Sequence, residues 1–517
     1  MDTQLGALLS YVRVVPLVGG LCLLIPICFR ISAWYRLRHV DGPWLASFSY
    51  LWMLAVSIGA RQAASYRKLN QKYGSLVRIG PYDLLTDDPE VIKRMNGARS
   101  KYRRSSWYFA SRVNADKESV FNLLDTAEHD KLKAQLSFGY GGKENPTIED
   151  DIDGQLGELV GLIRRKYVAT TVRNADGSTT ELARPMDLAT RIQFFTLDAI
   201  TKVAYGKSFG FLASDGDVHG YIAAVETIAA VIAPLGDLPW LSPIVFSKTV
   251  LRLVGPKTTA KKGVGKLMGI ARDIAEERFR PGAKDRLDML GSFIRHGITR
   301  EQCESEIVTQ IIAGSDTTAT SIRGTMLCLI TSPLAYMRLR EEIDQAIAEG
   351  RISSPIKVSE AKGLEYLQAV IYEGLRINIP FSGLTMKEVP PEGDTIDGKF
   401  IPGGTRVAHS FLSLQRSTAI YGPDSDVFRP ERWLGLSPEA HRKMTQTTEL
   451  VFGYGRWSCS GKHVAFLELN KAYVELLRYF DFQLVNPRNP VHTENRNMFF
   501  EKDMWVKITD RALPNPA

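Results

Sequence analysis

One cysteine near the C-terminus, Cys459, has the surroundings of a metal ligand. It ends a glycine-rich stretch, FGYGRWSC, that begins at Phe452, and helix-forming sequence from Lys462 to Tyr479 follows it. The free backbone N–H groups and the dipole of a helix N-terminus favour a thiolate, and thiolates bind metals. Glycines also let the backbone turn tightly and lie close to a flat ligand, so that Phe452 would cover the sulfur.

The spacing of the residues in this stretch decides between a structural cysteine and a ligand. A lone cysteine in a strand-to-helix turn is more often structural. Here, however, Phe, Gly, Gly, Cys and Gly stand at positions −7, −6, −4, 0 and +2 relative to Cys459. This pattern closely resembles the haem-binding loop of the cytochrome P450 family. The resemblance implies haem b as the cofactor, with Cys459 as the axial ligand of the iron and with Phe452 and Gly461 beside the haem.

Two residues before the cysteine the sequence departs from that family. The family usually has Arg or His there to bind a haem propionate, whereas this chain has Trp457, with Arg456 one residue earlier. Two alternatives follow: either Arg456 binds the propionate, or the indole N–H of Trp457 donates to it. Some fungal members of the family, those similar to pisatin demethylase, also have an aromatic residue at this position.

A helix predicted over Glu304 to Ile330 contains the polar sequence Ala313-Gly314-Ser315-Asp316-Thr317-Thr318. The segment is apolar on most sides, which is typical of a buried helix. A glycine inside a helix costs about 1 kcal/mol relative to alanine, and a buried Asp without a partner costs more. The structural interpretation is a core helix bent by a Thr that bonds the carbonyl four residues earlier.

The same six residues resemble the acid–alcohol pattern of the cytochrome P450 family. The resemblance implies that the helix opens beside Gly314 to admit O₂. It also implies that Thr317 donates a hydrogen bond to the O₂ and that Asp316 passes protons inward. On this interpretation all three residues are catalytic.

Glu373 and Arg376 lie three residues apart on a predicted helix with apolar neighbours. An exposed pair of this kind has little value, but the neighbours favour burial, and a buried pair needs further hydrogen bonds. Arg432, in the sequence Pro430-Glu431-Arg432-Trp433, is the candidate third member. The resemblance implies that this triad supports the haem-binding loop, which is a structural role.

Three more basic residues are candidates for contact with the haem. Asp125, His129 and Lys133 are spaced four apart, which predicts that they share one face of a helix. Without the family this is an ordinary solvated face, whereas the resemblance implies that His129 and Lys133 contact the propionates. Lys387 stands where many members have a propionate-binding Arg, and a lysine keeps the charge but loses the bidentate geometry.

Composition excludes some classes of function. The net charge is +8, but the 65 basic residues are interspersed with 57 acidic ones without a long basic run, so nucleic-acid binding is not expected. The five cysteines form no CxxC pair, which favours a reducing compartment. The composition is even and shows no internal repeat, which predicts one large domain over residues 42–517.

The N-terminus predicts a membrane anchor. Val14 to Phe29 is an uncharged run of 16 residues, which reaches spanning length with Tyr11 and Val12 if Arg13 snorkels. A cleaved secretory signal is the alternative, but no small-residue cleavage site follows the run. The excess of Arg after the run predicts a cytosolic catalytic domain. We therefore predict an anchor and hinge over residues 1–41, crossing the endoplasmic reticulum membrane once.

Other segments add small elements to this plan. Leu45 to Ala60 is uncharged, which favours a membrane-surface helix near a substrate entrance over a re-entrant segment. Leu76 to Gly80 and Asp83 to Thr86 predict a hairpin, and little else is strand-like before Phe400. Met498 to Ile508 resembles a C-terminal hairpin of the family, with a tip near residues 501–503 that touches substrate. The expected fold is the cytochrome P450 fold, mainly α with small β-sheets.

The resemblance implies a haem-thiolate monooxygenase. A thiolate ligand increases electron density at the iron and favours O–O cleavage, which allows attack on an unactivated C–H bond. The substrate would be a small apolar molecule, and the fungal character of the loop suggests secondary-metabolite biosynthesis. The alternatives are a haem-thiolate isomerase or dehydratase that does not use O₂, and a non-catalytic haem-binding protein.

Electrons would have to come from a partner, since no flavin- or NADPH-binding domain is visible in the sequence. The resemblance implies an NADPH-cytochrome P450 reductase on the same membrane. It would dock on the cysteine side, where Lys131, Lys133, Arg456 and Lys462 predict a basic patch.

Overall fold

Helices dominate the part of the chain that the computed structural model describes, residues 27–511 apart from 174, 175, 177 and 183. Its helices are α1 Leu51–Ile58, α2 Gln62–Tyr73, α3 Pro89–Asn96, α4 Thr126–Tyr140, α5 Ile148–Lys166, α6 Leu188–Tyr205, α7 Phe211–Ser214, α8 Tyr221–Gly236, α9 Ser242–Val245, α10 Lys248–Val254, α11 Gly263–Phe279, α12 Met289–Arg295, α13 Arg300–Ile330, α14 Pro333–Ala348, α15 Val358–Ala361, α16 Glu365–Ile377, α17 Phe411–Gln415, α18 Thr418–Tyr421, α19 Pro438–Thr448 and α20 Lys462–Tyr479. Short 3₁₀ turns join several of them. The prediction of a mainly helical fold is confirmed.

The strands form small sheets. They are β1 Leu76–Gly80, β2 Asp83–Thr86, β3 Arg103–Arg104, β4 Thr170–Arg173, β5 Thr179–Leu182, β6 Met186–Asp187, β7 Lys387–Glu388, β8 Asp394–Ile396, β9 Lys399–Ile401, β10 Arg406–His409, β11 Phe480–Leu484, β12 His492–Arg496, β13 Met498–Lys502 and β14 Trp505–Asp510. The largest sheet has the order β1-β2-β10-β7-β3. The predicted β1–β2 hairpin is confirmed, but β4 and β5 form a hairpin that the sequence analysis missed.

The helix that organises the core is α13, which is 31 residues long. The Thr299 side chain accepts a hydrogen bond from the Gln302 N–H at its start, which satisfies one of the free donors of a helix N-terminus. Apolar residues at helical spacing, such as Ile307, Ile311 and Ile322, are fully buried. Because α6, α11, α16 and α20 all pack against it, α13 is enclosed on most sides.

The strands at the C-terminus pair differently from the prediction. Met498 to Ile508 is not one hairpin, since β13 pairs with β12 whereas β14 pairs with β11 and β6. The tight turn of the β12–β13 hairpin is at Asn497, which has a φ of 63°. Residues 501–503 are therefore not the tip of a hairpin: they end β13 and connect two sheets. The strand pattern in the sequence was correct, but it contained no information on which strands pair.

The segment after the predicted anchor is fastened to the first sheet. Leu37 and Val40 pack in one apolar cluster with Leu76 and Leu84 of β1 and β2. The buried Arg78 guanidinium donates to the backbone oxygens of residues 33, 34 and 47. Most of the predicted span, residues 14–26, lies outside the described residues, and no described helix is long and apolar enough to cross a membrane.

The second uncharged segment, Leu45 to Ala60, contains a 3₁₀ turn and the short helix α1. The side chains of Leu51 and Ile58 are more than half exposed, whereas Met53 and Ser57 are buried against the protein. The segment therefore forms a helix on the protein surface with an exposed apolar side. Contact with a membrane stays a prediction.

Candidate active site

The loop before α20 folds tightly around Cys459. The N–H of Cys459 donates to the carbonyl of Phe452 at 2.7 Å, which closes the loop. Gly453 has a φ of +72°, and a Cβ there would lie 2.8 Å from the Trp457 carbonyl oxygen. Gly455 has a φ of +54°, and its Cβ would lie 2.6 Å from a backbone oxygen at the end of α3. Both positions therefore require glycine, and the loop is a built feature of the fold.

The Cys459 side chain is accessible, yet burial raises the pKa of its thiol. These two facts agree if the sulfur faces an internal space rather than bulk water. The backbone N–H groups of Gly461 and Lys462 and the charge of Lys133 act in the opposite direction and lower this pKa. A metal ion bound to such a thiol would deprotonate it. Gly461 lies beside the sulfur: a Cβ there would be 3.9 Å from it, an ordinary van der Waals contact.

The middle of α13 has one accessible side although the helix lies in the core. Ala313 is exposed and Gly314 and Thr317 are half-exposed, whereas Ser315 and Asp316 are buried. Ala313 and Thr317 are four residues apart, so they share one face of the helix. Since α20, which begins after Cys459, packs against α13, we infer that both accessible surfaces border the same internal space.

The helix is continuous from Arg300 to Ile330, and it shows no break beside Gly314. A Cβ on Gly314 would lie 2.8 Å from Cγ1 of Ile200 on α6. The glycine thus allows close packing of two helices. The Thr317 hydroxyl donates to the Ala313 carbonyl at 2.8 Å, which is the local bond that the structural interpretation of this segment expected.

Asp316 points away from the accessible face and is almost fully buried. Its Oδ1 accepts a hydrogen bond from Nε2 of Gln193 on α6. Its Oδ2 lies 3.5 Å from the Ser315 hydroxyl. Burial raises the pKa of the Asp316 carboxyl to about 6, although the Arg323 charge opposes this shift. The carboxyl can therefore gain or lose a proton near neutral pH.

The structure brings the predicted triad together. Glu373 and Arg376 form a bidentate ion pair, with bonds of 2.9 and 2.7 Å, and Arg432 Nε lies 3.0 Å from Glu373 Oε1. The Trp433 indole also donates to Glu373 at 3.0 Å. Although burial pushes the pKa of Glu373 up, these partners hold it below its usual value. Every charge in the triad is thus paired.

A row of aromatic rings connects the triad to the cysteine loop. The Trp433 ring lies 5.3 Å from that of Tyr372, which lies 6.0 Å from Phe466. Phe466 is in turn 5.5 Å from Phe452 at the start of the loop. This row gives the triad a physical route by which it supports the loop.

A second buried cluster surrounds the Trp457 indole. The His129 ring lies 4.3 Å from the Trp457 ring, the Arg104 guanidinium 4.4 Å and the Lys387 ammonium 5.5 Å. Two donors in this cluster, Nε1 of Trp457 and Nε of Arg104, are buried and make no hydrogen bond to any described residue. Buried donors normally have a partner, so both are available to a ligand or to water.

The second cluster, Arg104, His129, Lys387 and Trp457, has few acids beside it: Asp130 Oδ1 lies 3.0 Å from His129 Nδ1, and its other oxygen pairs with Arg456. Burial and the Arg104 charge lower the pKa of His129 to about 3 and that of Lys387 well below its usual value. Burial also lowers the pKa of Arg104 to about 10. An anion would satisfy the free donors and neutralise the positive charge, so the residues present fit the carboxylates of a haem.

Arg456 and Lys133 do not belong to that cluster. Arg456 Nε pairs with Asp130 at 3.0 Å, and its NH2 donates to the Ala98 carbonyl at 2.7 Å. The Lys133 ammonium donates to the backbone oxygens of Arg456 and Ser458 at 2.8 and 2.6 Å, so it holds the cysteine loop. Of the two alternatives, Trp457 is the residue with a free donor in the cluster.

The helical face predicted for three polar residues has only two of them. Asp125 is the N-cap of α4, where its Oδ1 accepts from the Glu128 N–H at 2.8 Å. A short acidic side chain before a helix start favours capping over helix. The prediction that Asp125 lies on the helix with His129 and Lys133 is therefore wrong.

Sequence reasoning missed Arg104. It belongs to β3, and its register partner on β7 is Lys387. The two side chains meet only because distant segments pair as strands. No local pattern around Lys101-Tyr102-Arg103-Arg104 signals this, although Lys387 was itself a candidate.

Comparisons with known proteins agree with the geometry. Residues 43–507 match the family model described as Cytochrome P450. The Cytochrome P450 monooxygenase ABA1 of Pyricularia oryzae is 50% identical over 483 residues, which cover 92% of this chain and 93% of that protein. A second relative, aba1 of Botryotinia fuckeliana, is 43% identical over 475 residues, 92% of each chain. A third, abl1 of Leptosphaeria maculans, is 38% identical over 470 residues, 90% of this chain and 81% of that protein.

Proposed function

Because this chain belongs to the cytochrome P450 family and is an oxidoreductase of the monooxygenase class, we propose that it inserts one atom of O₂ into a small apolar molecule. The observation that carries this proposal is that Cys459 is exposed and that the core helix α13 has an accessible face, which contains Thr317. We infer that both border one internal space.

The residues that would hold haem b fall into two groups. Cys459 would bind the iron, with Phe452 and Gly461 beside it in the loop. Trp457, Arg104, His129 and Lys387 would bind the propionates, since Trp457 and Arg104 present free donors and an anion would favour the charged forms of His129 and Lys387, whose pKa values are lowered. When bound, haem supplies the oxidising chemistry, and the protein orients the substrate and controls water and protons.

Thr317 and Asp316 have separate tasks in this proposal. The Thr317 hydroxyl lies on the accessible face and can turn its hydrogen bond from the Ala313 carbonyl into the internal space. Asp316 lies behind it and holds a proton at a carboxyl with a pKa of about 6. A group of that pKa both accepts and releases protons at neutral pH, as a relay requires.

We also propose a membrane-bound setting, with residues 1–41 as anchor at the endoplasmic reticulum and an NADPH-cytochrome P450 reductase as electron donor. Of the basic residues predicted to meet the reductase, Lys131 is exposed. Lys462 is partly exposed and pairs with Glu449 at 2.8 Å. Charge reversal at Lys131 and Lys462 should slow reduction at low salt, and an unchanged rate would contradict this docking site.

The similarity to fungal monooxygenases supports a role in secondary-metabolite oxidation. The exposed apolar side of α1 fits a substrate that arrives through the membrane surface. Metabolites of the native host with and without the gene would identify the product. An unchanged metabolite pattern would contradict a biosynthetic role.

The first test is spectroscopic. The protein is reduced and its absorption is recorded with and without carbon monoxide, in parallel with a Cys459→Ser variant. A strongly red-shifted Soret band that the variant loses is the expected result for a thiolate ligand. An unshifted band in the native chain would overturn the proposal.

A second test separates a monooxygenase from a haem-thiolate isomerase or a haem carrier. The holoprotein with reductase should consume NADPH in the presence of O₂, and Thr317→Ala should increase the peroxide released per NADPH. Neither an isomerase nor a haem carrier needs NADPH consumption or releases peroxide in its function. If no NADPH is consumed although the reductase reduces the haem, the alternatives are favoured.

A further inference from the structure

The carboxyl of Asp316 on α13 accepts a hydrogen bond from Gln193, a residue that belongs to no motif in the sequence analysis. Gln193 lies on α6 and is 5% exposed, and its Nε2 donates to Oδ1 of Asp316. The other carboxyl oxygen lies near the Ser315 hydroxyl, which is 3.1 Å from the hydroxyl of Tyr221. The described hydrogen-bond partners of Asp316 are thus neutral groups.

The packing of the two helices allows this contact. A Cβ on Gly314 would lie 2.8 Å from Cγ1 and 3.1 Å from Cδ1 of Ile200. Because Gly314 has no side chain, α6 lies close enough to α13 for the Gln193 amide to reach Asp316. The contact between Gly314 and Ile200 and the hydrogen bond between Gln193 and Asp316 both join α6 to α13. The packing of these two helices therefore places Gln193 beside Asp316.

Charged groups near Asp316 have other partners. Arg323, on the same helix, pairs with Glu501 at 2.6 Å and donates to the Phe499 carbonyl at 2.9 Å. Glu226 on α8 lies 4.0 Å from Lys502. Arg323 lowers the pKa of Asp316 and Glu226 raises it. Neither of them forms a described ion pair or hydrogen bond with the Asp316 carboxyl.

We propose that Gln193 is the positioning residue of the proton relay: it orients Asp316 through a neutral donor that leaves the carboxyl free to change its protonation state. A cationic partner in this position would instead hold Asp316 as a carboxylate. The inference rests on the proposed role of Asp316. The raised pKa of Asp316, which has burial as its largest cause, agrees with it.

The test uses three variants and needs no knowledge of the substrate. Gln193→Leu removes the donor, Gln193→Glu places a second carboxyl beside Asp316, and Asp316→Asn removes the relay itself. The control is Thr201→Val on the same helix, since the described hydrogen bonds of the buried Thr201 hydroxyl lie within α6, to the carbonyls of Leu197 and Asp198. Carbon monoxide spectra identify correctly loaded protein in every case.

The readout is NADPH consumption by the holoprotein with reductase between pH 5.5 and 8.5. Gln193→Leu should lower the rate several-fold at neutral pH. Gln193→Glu should move the midpoint of the pH profile upward by about one unit or more, because adjacent carboxyls raise each other's pKa. In every variant the rate of haem reduction under carbon monoxide should match that of the native protein. The pH profile of NADPH consumption by Thr201→Val should also match the native profile.

The outcomes distinguish this inference from the function on which it rests. If Asp316→Asn changes the profile and both Gln193 variants overlay the native protein, the role of Gln193 is overturned and that of Asp316 stands. If Asp316→Asn also overlays the native profile, both roles are overturned. Equal effects of Thr201→Val and Gln193→Leu would mean that Gln193 only stabilises α6, which also overturns the inference.

Discussion

Two buried clusters of charged residues flank the cysteine loop, and they differ in how their charges are paired. In the triad, Glu373 accepts hydrogen bonds from both Arg376 and Arg432 at 3.0 Å or less. In the cluster around Trp457, Arg104 and Lys387 share no described acid between them, and two donors make no hydrogen bond. The charges of the triad are paired within the protein, whereas the Trp457 cluster keeps buried donors without a described partner, as we propose for a site that binds an anion.

Two tryptophans make the contrast specific. Both are almost fully buried, at 4% exposed for Trp433 and 9% for Trp457. The Trp433 indole donates to Glu373 at 3.0 Å, whereas the Trp457 indole has no partner among the described residues. The same side chain is therefore paired in one place and has an unused donor in the other. The pairing of buried polar atoms, more than residue type, tells the two apart.

The largest effect is expected in the triad. Glu373→Ala leaves Arg376 buried without its anion and Arg432 with Asp424 as its remaining carboxylate partner, so the free energy of unfolding should fall by about 3–5 kcal/mol. Denaturant unfolding of the haem-free protein measures this loss. The control is Glu90→Ala, which removes an exposed pair with Lys93 on α3 and should cost less than about 1 kcal/mol. A haem-free protein unaffected by Glu373→Ala would refute the scaffold role.

The Trp457 cluster should respond with opposite signs. Lys387→Met removes a buried amine that donates only to the neutral Tyr108 hydroxyl and Thr385 carbonyl and has no described anion, so the haem-free protein should gain stability, by about 1 kcal/mol. The same variant loses a partner for the propionates, and its haem affinity should fall about 10- to 100-fold. Urea unfolding and haem transfer to apomyoglobin measure the two quantities. A parallel loss of stability and affinity would make this cluster a second scaffold.

A smaller effect is expected from the indole N–H alone. Trp457→Phe keeps a ring beside Arg104 and His129, so the haem-free stability should not change. One lost hydrogen bond of about 1 kcal/mol should raise the rate of haem loss several-fold. The matched variant Trp433→Phe should instead destabilise the haem-free protein, because it removes a donor from Glu373. If Arg456→Gln weakened haem binding more than Trp457→Phe, Arg456 and not Trp457 would be the residue that binds the propionate.

The sequence could predict those features whose residues lie close together along the chain. The β1–β2 hairpin, α13, the cysteine loop, and the Glu373–Arg376 pair each lie within one stretch, where periodicity and spacing determine them. Arg432 came from the family resemblance. For these elements the structure adds distances and burial, and it adds Trp433 and Asp424 as further partners of the triad.

The features that the sequence could not predict depend on pairing between distant segments. Arg104 joins Lys387 through β3 and β7, and β14 leaves its neighbour β13 to pair with β11. Gln193 reaches Asp316 because two helices meet at Gly314. Asp125 is a different case, because local sequence determines whether it caps α4 or belongs to its first turn. The predicted helical face began one residue too early.

The smallest effect is a pH dependence that only the Trp457 cluster should show near neutrality. Burial and the neighbouring charges hold the pKa of His129 at about 3 in the folded protein, below the value of about 6.5 in an unfolded chain. The unfolded state therefore binds more protons as the pH falls through 6.5, and the haem-free protein should lose stability. Between pH 7 and 6 the loss is about 0.7 kcal/mol for this one residue.

Glu373 should add no pH dependence to the stability between pH 7 and 6. Because its pKa is lowered, its stabilising effect is lost only below about pH 4.5. Urea unfolding of the haem-free protein at pH 7 and 6, with His129→Gln as the matched variant, isolates the difference. In the haem-loaded protein a propionate next to His129 would raise its pKa, and the pH dependence should shrink. If the dependence were equal with and without haem, no anion would reach His129, and the Trp457 cluster would lose one of its four members.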